Sequence, residues 1–340
     1  MDLLITGGAG FIGSTIASAA IEAGHRPIIL DNLVTGRREF TEGRAFYEGD
    51  IADTALVHRI IDENPDIAAV VHCAALIVVP QSVTQPGAYY RANVIGTLTL
   101  VETLLSRGVT DIVFSSSASI YEPDADFTVG ESSGLNPLSP YARTKMMVEA
   151  ILADLAVATD LRALSLRYFN PIGSDPAFRT GLQLRTPSHA LGKLIEARET
   201  GRPFTITGGD YPTRDGTGIR DYVHVWDLAQ AHVAALERFE QALDGERHAV
   251  INLGTGSGTT VRELVSAFEQ VTGESMPVVE APRRAGDSVG AFTRSDKASR
   301  LLDWSTRYSV TEGIAHTLEW FERRGAILPD LAAQERLARV

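Results

Sequence analysis

Short apolar runs recur along this chain at intervals that leave room for a helix between them. Leu3-Leu4-Ile5, Pro27-Ile28-Ile29-Leu30, residues 68–73, Ile112-Val113-Phe114 and residues 250–253 are apolar almost throughout. Such runs, unlike the strict alternation of a half-exposed strand, predict parallel strands covered on both faces. Residues 45–51 and 161–167 predict two further strands. Residues 11–23, 85–107 and 141–158 have the length and polarity of helices, the last capped by Ser139 after Pro137. The pattern predicts an α/β fold with a doubly wound parallel sheet.

After Gly173 the regular succession of strand and helix lapses. Residues 187–200 read as a helix and 204–207 as a short strand. Residues 222–225, with a helix over 226–239, read as a return to the first domain. The expected division is a dinucleotide-binding domain over 1–169, rejoined by about 222–253, and a smaller α/β substrate domain over 170–340. No repeats or low-complexity segments interrupt this order.

The turn after the first strand carries the first chemistry. Gly7-Gly8-Ala9-Gly10-Phe11-Ile12-Gly13 places glycines at 7, 10 and 13 between a strand and a helix. That spacing gives a tight turn, a close approach of backbone to a pyrophosphate, and close packing of helix on strand. The helix opening at Phe11 and Ile12 then points its amides at the diphosphate. Asp31 ends the second strand, where a carboxylate accepts hydrogen bonds from an adenosine ribose. This predicts a Rossmann-type site. Arg37 and Arg38 follow closely and could instead serve a 2′-phosphate, but Asp31 would repel one, so NAD is expected rather than NADP. Gly254-Thr255-Gly256-Ser257-Gly258 mimics the motif with the wrong spacing and reads as a tight turn capped by Thr259 or Thr260.

The second piece of chemistry is Ser115-Ser116-Ser117 after a strand, followed by Tyr141-Ala142-Arg143-Thr144-Lys145. Ligands of open α/β sheets sit at the carboxyl ends of strands, which is where Ser117 falls. Tyr141 and Lys145 share a helical face. A lysine cation there favours phenolate and is expected to lower the tyrosine pKa towards neutrality, making it an acid–base group. The pair gains weight from the dinucleotide site upstream. His72 reads as a packed histidine, since no second metal ligand lies at a suitable spacing.

Composition narrows the partners. The net charge of −12 over 340 residues argues against a nucleic-acid partner. Cys73 stands alone, excluding an intramolecular disulfide and suiting a reducing compartment. No apolar run reaches membrane-spanning length, and the N-terminus enters the glycine turn too soon for a cleavable signal, so a cytoplasmic protein is expected.

With Gly7, Gly10, Gly13, Ser117, Tyr141 and Lys145 together, the chain resembles the extended short-chain dehydrogenase/reductases. Arg167-Tyr168-Phe169-Asn170-Pro171-Ile172-Gly173, residues 211–225 and Ala281-Pro282-Arg283-Arg284-Ala285-Gly286-Asp287 are similar to the UDP-glucose 4-epimerases, over a stretch reaching about Phe321. The resemblance implies NAD held by Gly7, Gly10, Phe11, Ile12, Gly13, Asp31, Asn32, Asp50, Ile51, Cys73, Ala74, Ala75, Asn93, Tyr141, Lys145 and Phe169. It implies a UDP-sugar held by Ser117, Tyr141, Asn170, Leu191, Thr207, Arg220, Arg284, Asp287 and Ala291, and a homodimer paired through the helices beginning near Gln85 and Tyr141. This chain departs from the family at Ile77, where a lysine is common, at Glu122, where glycine is usual, and at His189-Ala190, which stand for Asn-Asn.

The implied reaction is inversion at C4 of a UDP-hexose through a 4-keto sugar, with Tyr141 as base, Ser117 bonded to the same oxygen, and Lys145 on the nicotinamide ribose. Ala291, where narrow-specificity members carry tyrosine, implies acceptance of N-acetyl sugars as well. The alternatives are 4-epimerisation of UDP-glucuronate or a UDP-pentose, dehydration, or a non-catalytic NAD-binding sensor. Dehydratases place Asp-Glu where this chain has Ala118-Ser119, and sensors commonly lose the tyrosine or lysine retained here.

Overall fold

The computed structural model describes residues 1–184, 189–283 and 289–331. Seven strands form its main sheet: β1 (Asp2–Thr6), β2 (Arg26–Asp31), β3 (Ala45–Glu48), β4 (Ile67–His72), β5 (Asp111–Ser115), β6 (Arg162–Tyr168) and β7 (His248–Leu253). The order is β7-β6-β5-β4-β1-β2-β3 and every neighbouring pair is parallel. The order reverses beside β1, so the crevice for a ligand opens at the carboxyl ends of β1 and β4.

The apolar runs are explained by what covers them. Leu3 and Ile5 face one layer, with the Phe11–Glu22 and Val225–Glu237 helices. Leu4 faces the other, with the Thr54–Glu63, Gly96–Leu105 and Pro140–Ala158 helices. Both faces are therefore dry, as unbroken apolar strands require.

Three small sheets lie beyond. Thr259–Thr260, Ile219–Arg220, Gly290–Thr293 and Thr128–Val129 form one; Tyr222–His224 pairs with Asn170–Ile172, and Val278–Ala281 with Phe204–Thr207. The two two-stranded sheets share a third core around Leu194, Phe204, Ile206, Leu264, Phe268 and Ile314. Asn170 follows β6 after Phe169 and Tyr222–His224 runs straight into the Val225–Glu237 helix, so the sheet they form hangs on the large one.

The predicted helix over 85–107 is interrupted. Helical turns at Pro86–Tyr89 and Gly96–Leu105 flank a π-helical segment at Tyr90–Ile95. The predicted helix over 226–239 breaks at Arg238 and resumes at Phe239–Leu243. The third strand stops at Glu48, leaving Asp50 and Ile51 in the turn after it. Thr260 caps the Val261–Thr272 helix in a reciprocal pair with Glu263, so the Gly254–Gly258 stretch is the expected turn. Among the described residues no helix is long and apolar enough to cross a membrane.

Candidate active site

Gly7 adopts φ +69°, and a Cβ there would lie 2.7 Å from the Ala74 amide nitrogen. At Gly13 a Cβ would run into the Gly7 carbonyl and come within 2.9 Å of Gly8 Cα. Both glycines are thus required by backbone contact. Gly10 differs: its Cβ position meets only the Gly7 carbonyl oxygen, at 3.3 Å, so that side of the turn stays open. Asp31, 7% exposed, accepts from the amides of Ala9 (3.0 Å) and Leu33 (2.8 Å). Burial raises its pKa and the two amides hold it down. Asn32 Nδ2 reaches Asp50 at 3.3 Å, joining the ends of β2 and β3, and Ile51 packs beneath. An open turn beside a buried carboxylate fits a dinucleotide. Arg37 pairs with Asp330 and Glu39, and Arg38 with Glu48, so both arginines are engaged with carboxylates.

On the other wall, Cys73, Ala74 and Ala75 continue from β4. His72 is saturated by hydroxyls, Thr6 at 2.7 Å and Thr97 at 2.8 Å, and burial takes its pKa down to about 3. It is a packed neutral histidine, and no metal-ligating cluster occurs among the described residues. Asn93, in the π-helical segment, accepts from the Leu76 amide at 2.8 Å and donates to its carbonyl at 3.0 Å and to Thr144 at 3.1 Å. It therefore ties the segment after Ala75 to the helix of Tyr141. Ile77, in the place of the family's lysine, is 54% exposed.

Ser139 caps the Pro140–Ala158 helix through the Ala142 amide and so sets the register of Tyr141 and Lys145. Lys145 is buried, and its Nζ donates to the Ser115 carbonyl at 2.8 Å. It lies 6.0 Å from the centre of the Tyr141 ring. The expected lowering of the tyrosine pKa does not occur. Burial pushes Tyr141 up to about 12, with a hydrogen bond from Ser117 pulling the other way. Burial likewise takes Lys145 down to about 8, opposed by Cys73 and Glu149. Desolvation outweighs a cation whose ammonium is turned towards a backbone carbonyl. Ser117 caps the Ala118–Ile120 turn and bonds Ser119 Oγ at 2.9 Å.

Past β6 a cavity of about 510 Å³ is lined by Asn170, His189, Lys193, Thr207, Arg220 and Tyr222, among others. Arg220 Nη1 donates to the carbonyls of Ile219 and Val289, each at 2.8 Å. Ala291 stands in register with Arg220 and packs with Phe169 against Ala118, Tyr121 and Val129. The Leu191 side chain is wholly buried in the third core, and its neighbours His189 and Ala190 line the cavity instead. Arg284 and Asp287 lie outside the described residues.

Known proteins share this chain's sequence and fold. The NAD dependent epimerase/dehydratase family matches residues 3–254. A UDP-glucose 4-epimerase of Rhizobium leguminosarum bv. trifolii is 41% identical, covering 94% of this chain and 96% of that protein. The chain belongs to the UDP-glucose 4-epimerases of this family. The Stenotrophomonas maltophila epimerase, crystallised with NAD and formylated UDP-arabinopyranose, superimposes with a TM-score of 0.90 at 37% identity, covering 96% of this chain and 99% of its own. The Bifidobacterium longum enzyme, in complex with NAD+ and UDP, gives 0.87 at 33% identity over 95% and 98%.

One group in this epimerase escaped the sequence reading. Glu149 lies buried on the helix of Tyr141 and accepts from Ser116 Oγ and, through two nitrogens, from Arg167. Arg167 Nη1 also donates to the Tyr121 hydroxyl at 2.7 Å, which donates to Asn252 Oδ1 at 2.6 Å. The signal was present as a glutamate one turn beyond Lys145 on the same face, where burial demands a cationic partner. Lys193 and Glu196 also line the cavity, paired at 2.6 Å, with no motif to mark them.

Proposed function

We propose that this protein interconverts UDP-glucose and UDP-galactose by inverting C4, with Tyr141 as the acid–base group, and that it also takes the N-acetylated pair. The observation that carries the reading is convergence. Ser117 from the end of β5 and the Tyr141–Lys145 pair meet in the crevice between the glycine turn and the cavity headed by Asn170. NAD, when bound, supplies the hydride acceptor and donor. The residues that would hold it are the glycine turn, Asp31, the segment 73–75 and Lys145.

Tyr141 takes the proton of the sugar 4-hydroxyl and later returns it, while Ser117 hydrogen-bonds the same oxygen. In the protein alone burial raises the Tyr141 pKa, and positive charge in the cleft lowers it. Arg220 suits a diphosphate, and a sugar tethered there at one end can turn over as a 4-keto intermediate and present its other face. Ala118 and Ser119 hold no acid or base for elimination of water, which separates the reading from dehydration.

We assign residues 1–169 with 222–253 to the cofactor and the remainder to the sugar nucleotide. Exposed Ile95 and Met147, near and on the two long helices, support pairing with a second copy, and a monomer in light scattering would refute it. A single thiol suits work in the cytoplasm. The decisive test is Tyr141→Phe, assayed on UDP-glucose with mass spectrometry of heat-released nucleotide. Turnover should fall by about 10²–10⁴-fold with NAD still bound. Retention of most of the wild-type kcat would rule out Tyr141 as the base.

A further inference from the structure

Tyr141, Lys145 and Glu149 are spaced four apart and form one stripe of the Pro140–Ala158 helix, facing the end of β5. Lys145 Nζ holds the Ser115 carbonyl at 2.8 Å, and the Glu149 carboxylate holds the Ser116 hydroxyl. Ser115, the last residue of β5, and Ser116 after it are therefore both pinned to the helix that carries Tyr141, immediately before Ser117. On its far side Glu149 is clamped by Arg167, whose Nε lies 2.9 Å from Oε1, and Arg167 stacks its guanidinium 4.8 Å over the Tyr121 ring. Its partners on β6 and beyond leave this carboxylate no freedom to swing. We infer that Glu149 is a positioning residue: with Lys145 it fixes Ser117 relative to Tyr141.

The inference rests on Tyr141 and Lys145 being the reacting pair. The ionisable groups facing Lys145 are His72 and Cys73 at the end of β4, and Tyr141 and Glu149 on its own helix. Burial keeps His72 neutral above about 3, the Cys73 thiol neutral below about 11 and the Tyr141 phenol neutral below about 12, so the group that changes charge near pH 8 is Lys145 itself. Facing Glu149 are Arg167 and, more remotely, His248, whose pKa burial lowers. Removing the glutamate charge makes the ammonium harder to keep, so Lys145 should lose its proton at lower pH.

The test compares Glu149→Gln, Glu149→Asp and Ser116→Ala with the wild type, each full-length and NAD-loaded. Glu149→Gln should lower kcat by about 10- to 100-fold with little change in KM, as misplacement of reacting groups does. It should also move the alkaline limb of kcat to lower pH by roughly half a unit or more. Glu149→Asp keeps the charge but not the reach, so the limb should return while kcat stays low. Ser116→Ala should lower kcat without moving the limb. The Lys145 15N resonance, followed against pH, reads the same shift without turnover. If Glu149→Gln does not fold, the double variant Glu149→Gln/Arg167→Gln removes both buried charges of the pair, and it must show the lowered kcat with little change in KM. A folded variant with wild-type kcat, limb and resonance overturns the inference, while an inactive Tyr141→Phe alongside shows that the catalytic reading itself still stands.

Discussion

On the cofactor side of the cleft, positions are set by backbone against backbone: Gly7 on Ala74, Gly13 on Gly7 and Gly8, and the Asp31 carboxylate under two amides. On the sugar side, two-residue strands such as Ile219–Arg220 and Thr128–Val129 hold side chains around an open cavity of about 510 Å³. The first construction tolerates no added atom. The second can change what it binds by exchanging a side chain while the main chain stays in place. Substitutions on the two sides should therefore fail in different ways.

The largest effect is expected at the first. Gly13→Val would drive a branched side chain into the Gly7 carbonyl and the Gly8 backbone. Over-packing of this kind costs about 1–3 kcal/mol or more and must displace the glycine turn or the helix start. The purified variant should release no NAD on heating and show no epimerisation. Full nucleotide content would mean that the turn can yield, and the contrast between the two sides would collapse.

The difference also governs what the sequence revealed. Strands, glycine turn and the Tyr141–Lys145 spacing are local patterns, each written in a few neighbouring residues, and the structure has them where the pattern puts them. The Glu149–Arg167–Tyr121 network is not local: its members come from a helix, a strand and a loop that meet only after folding. The tyrosine pKa failed for a related reason. Spacing gave the lysine neighbour correctly, but the outcome depends on burial and on where Nζ points, towards the Ser115 carbonyl. Leu191 shows the same limit, since a helix pattern marks it as apolar without saying that its neighbours, not it, reach the cavity.

On the sugar side the next effect should come from Arg220. Gly290, at φ +100°, leaves the space that Arg220 occupies, and the two carbonyls at 2.8 Å fix the guanidinium. Arg220→Ala should raise KM for the UDP-sugar by roughly 30- to 1000-fold, the 2–4 kcal/mol typical of losing one partner of a buried charge pair. Bound NAD should be unchanged, and kcat should fall less than kcat/KM. Steady-state kinetics with nucleotide analysis separate this from Gly13→Val; loss of the cofactor here would show that the two sides are not independent.

The smallest and most selective effect concerns Ala291. It stands opposite Arg220 in the small sheet and packs with Phe169 beside Ala118 and Tyr121, next to the reacting groups. A bulkier neighbour could close the space that its methyl leaves, and Phe292 is the obvious one. The strand alternation sends Phe292 the other way: its ring lies against Gly258, where an added Cβ would come within 2.6 Å of Cδ1. Thr293, the next on the Ala291 face, is fully buried and committed through its hydroxyl to the Val129 carbonyl at 3.2 Å. Neither fills the gap, so an acetamido group on the sugar should be accepted. The wild type should then epimerise UDP-N-acetylglucosamine as well as UDP-glucose. Ala291→Tyr should lower kcat/KM for the N-acetyl sugar by roughly 5- to 150-fold, the 1–3 kcal/mol of an over-filled site, and leave UDP-glucose nearly unchanged. The ratio of the two kcat/KM values decides it: no detectable turnover of the N-acetyl sugar by the wild type would refute the reading of Ala291, and an equal loss on both substrates in the variant would place the phenol in the path of the whole sugar.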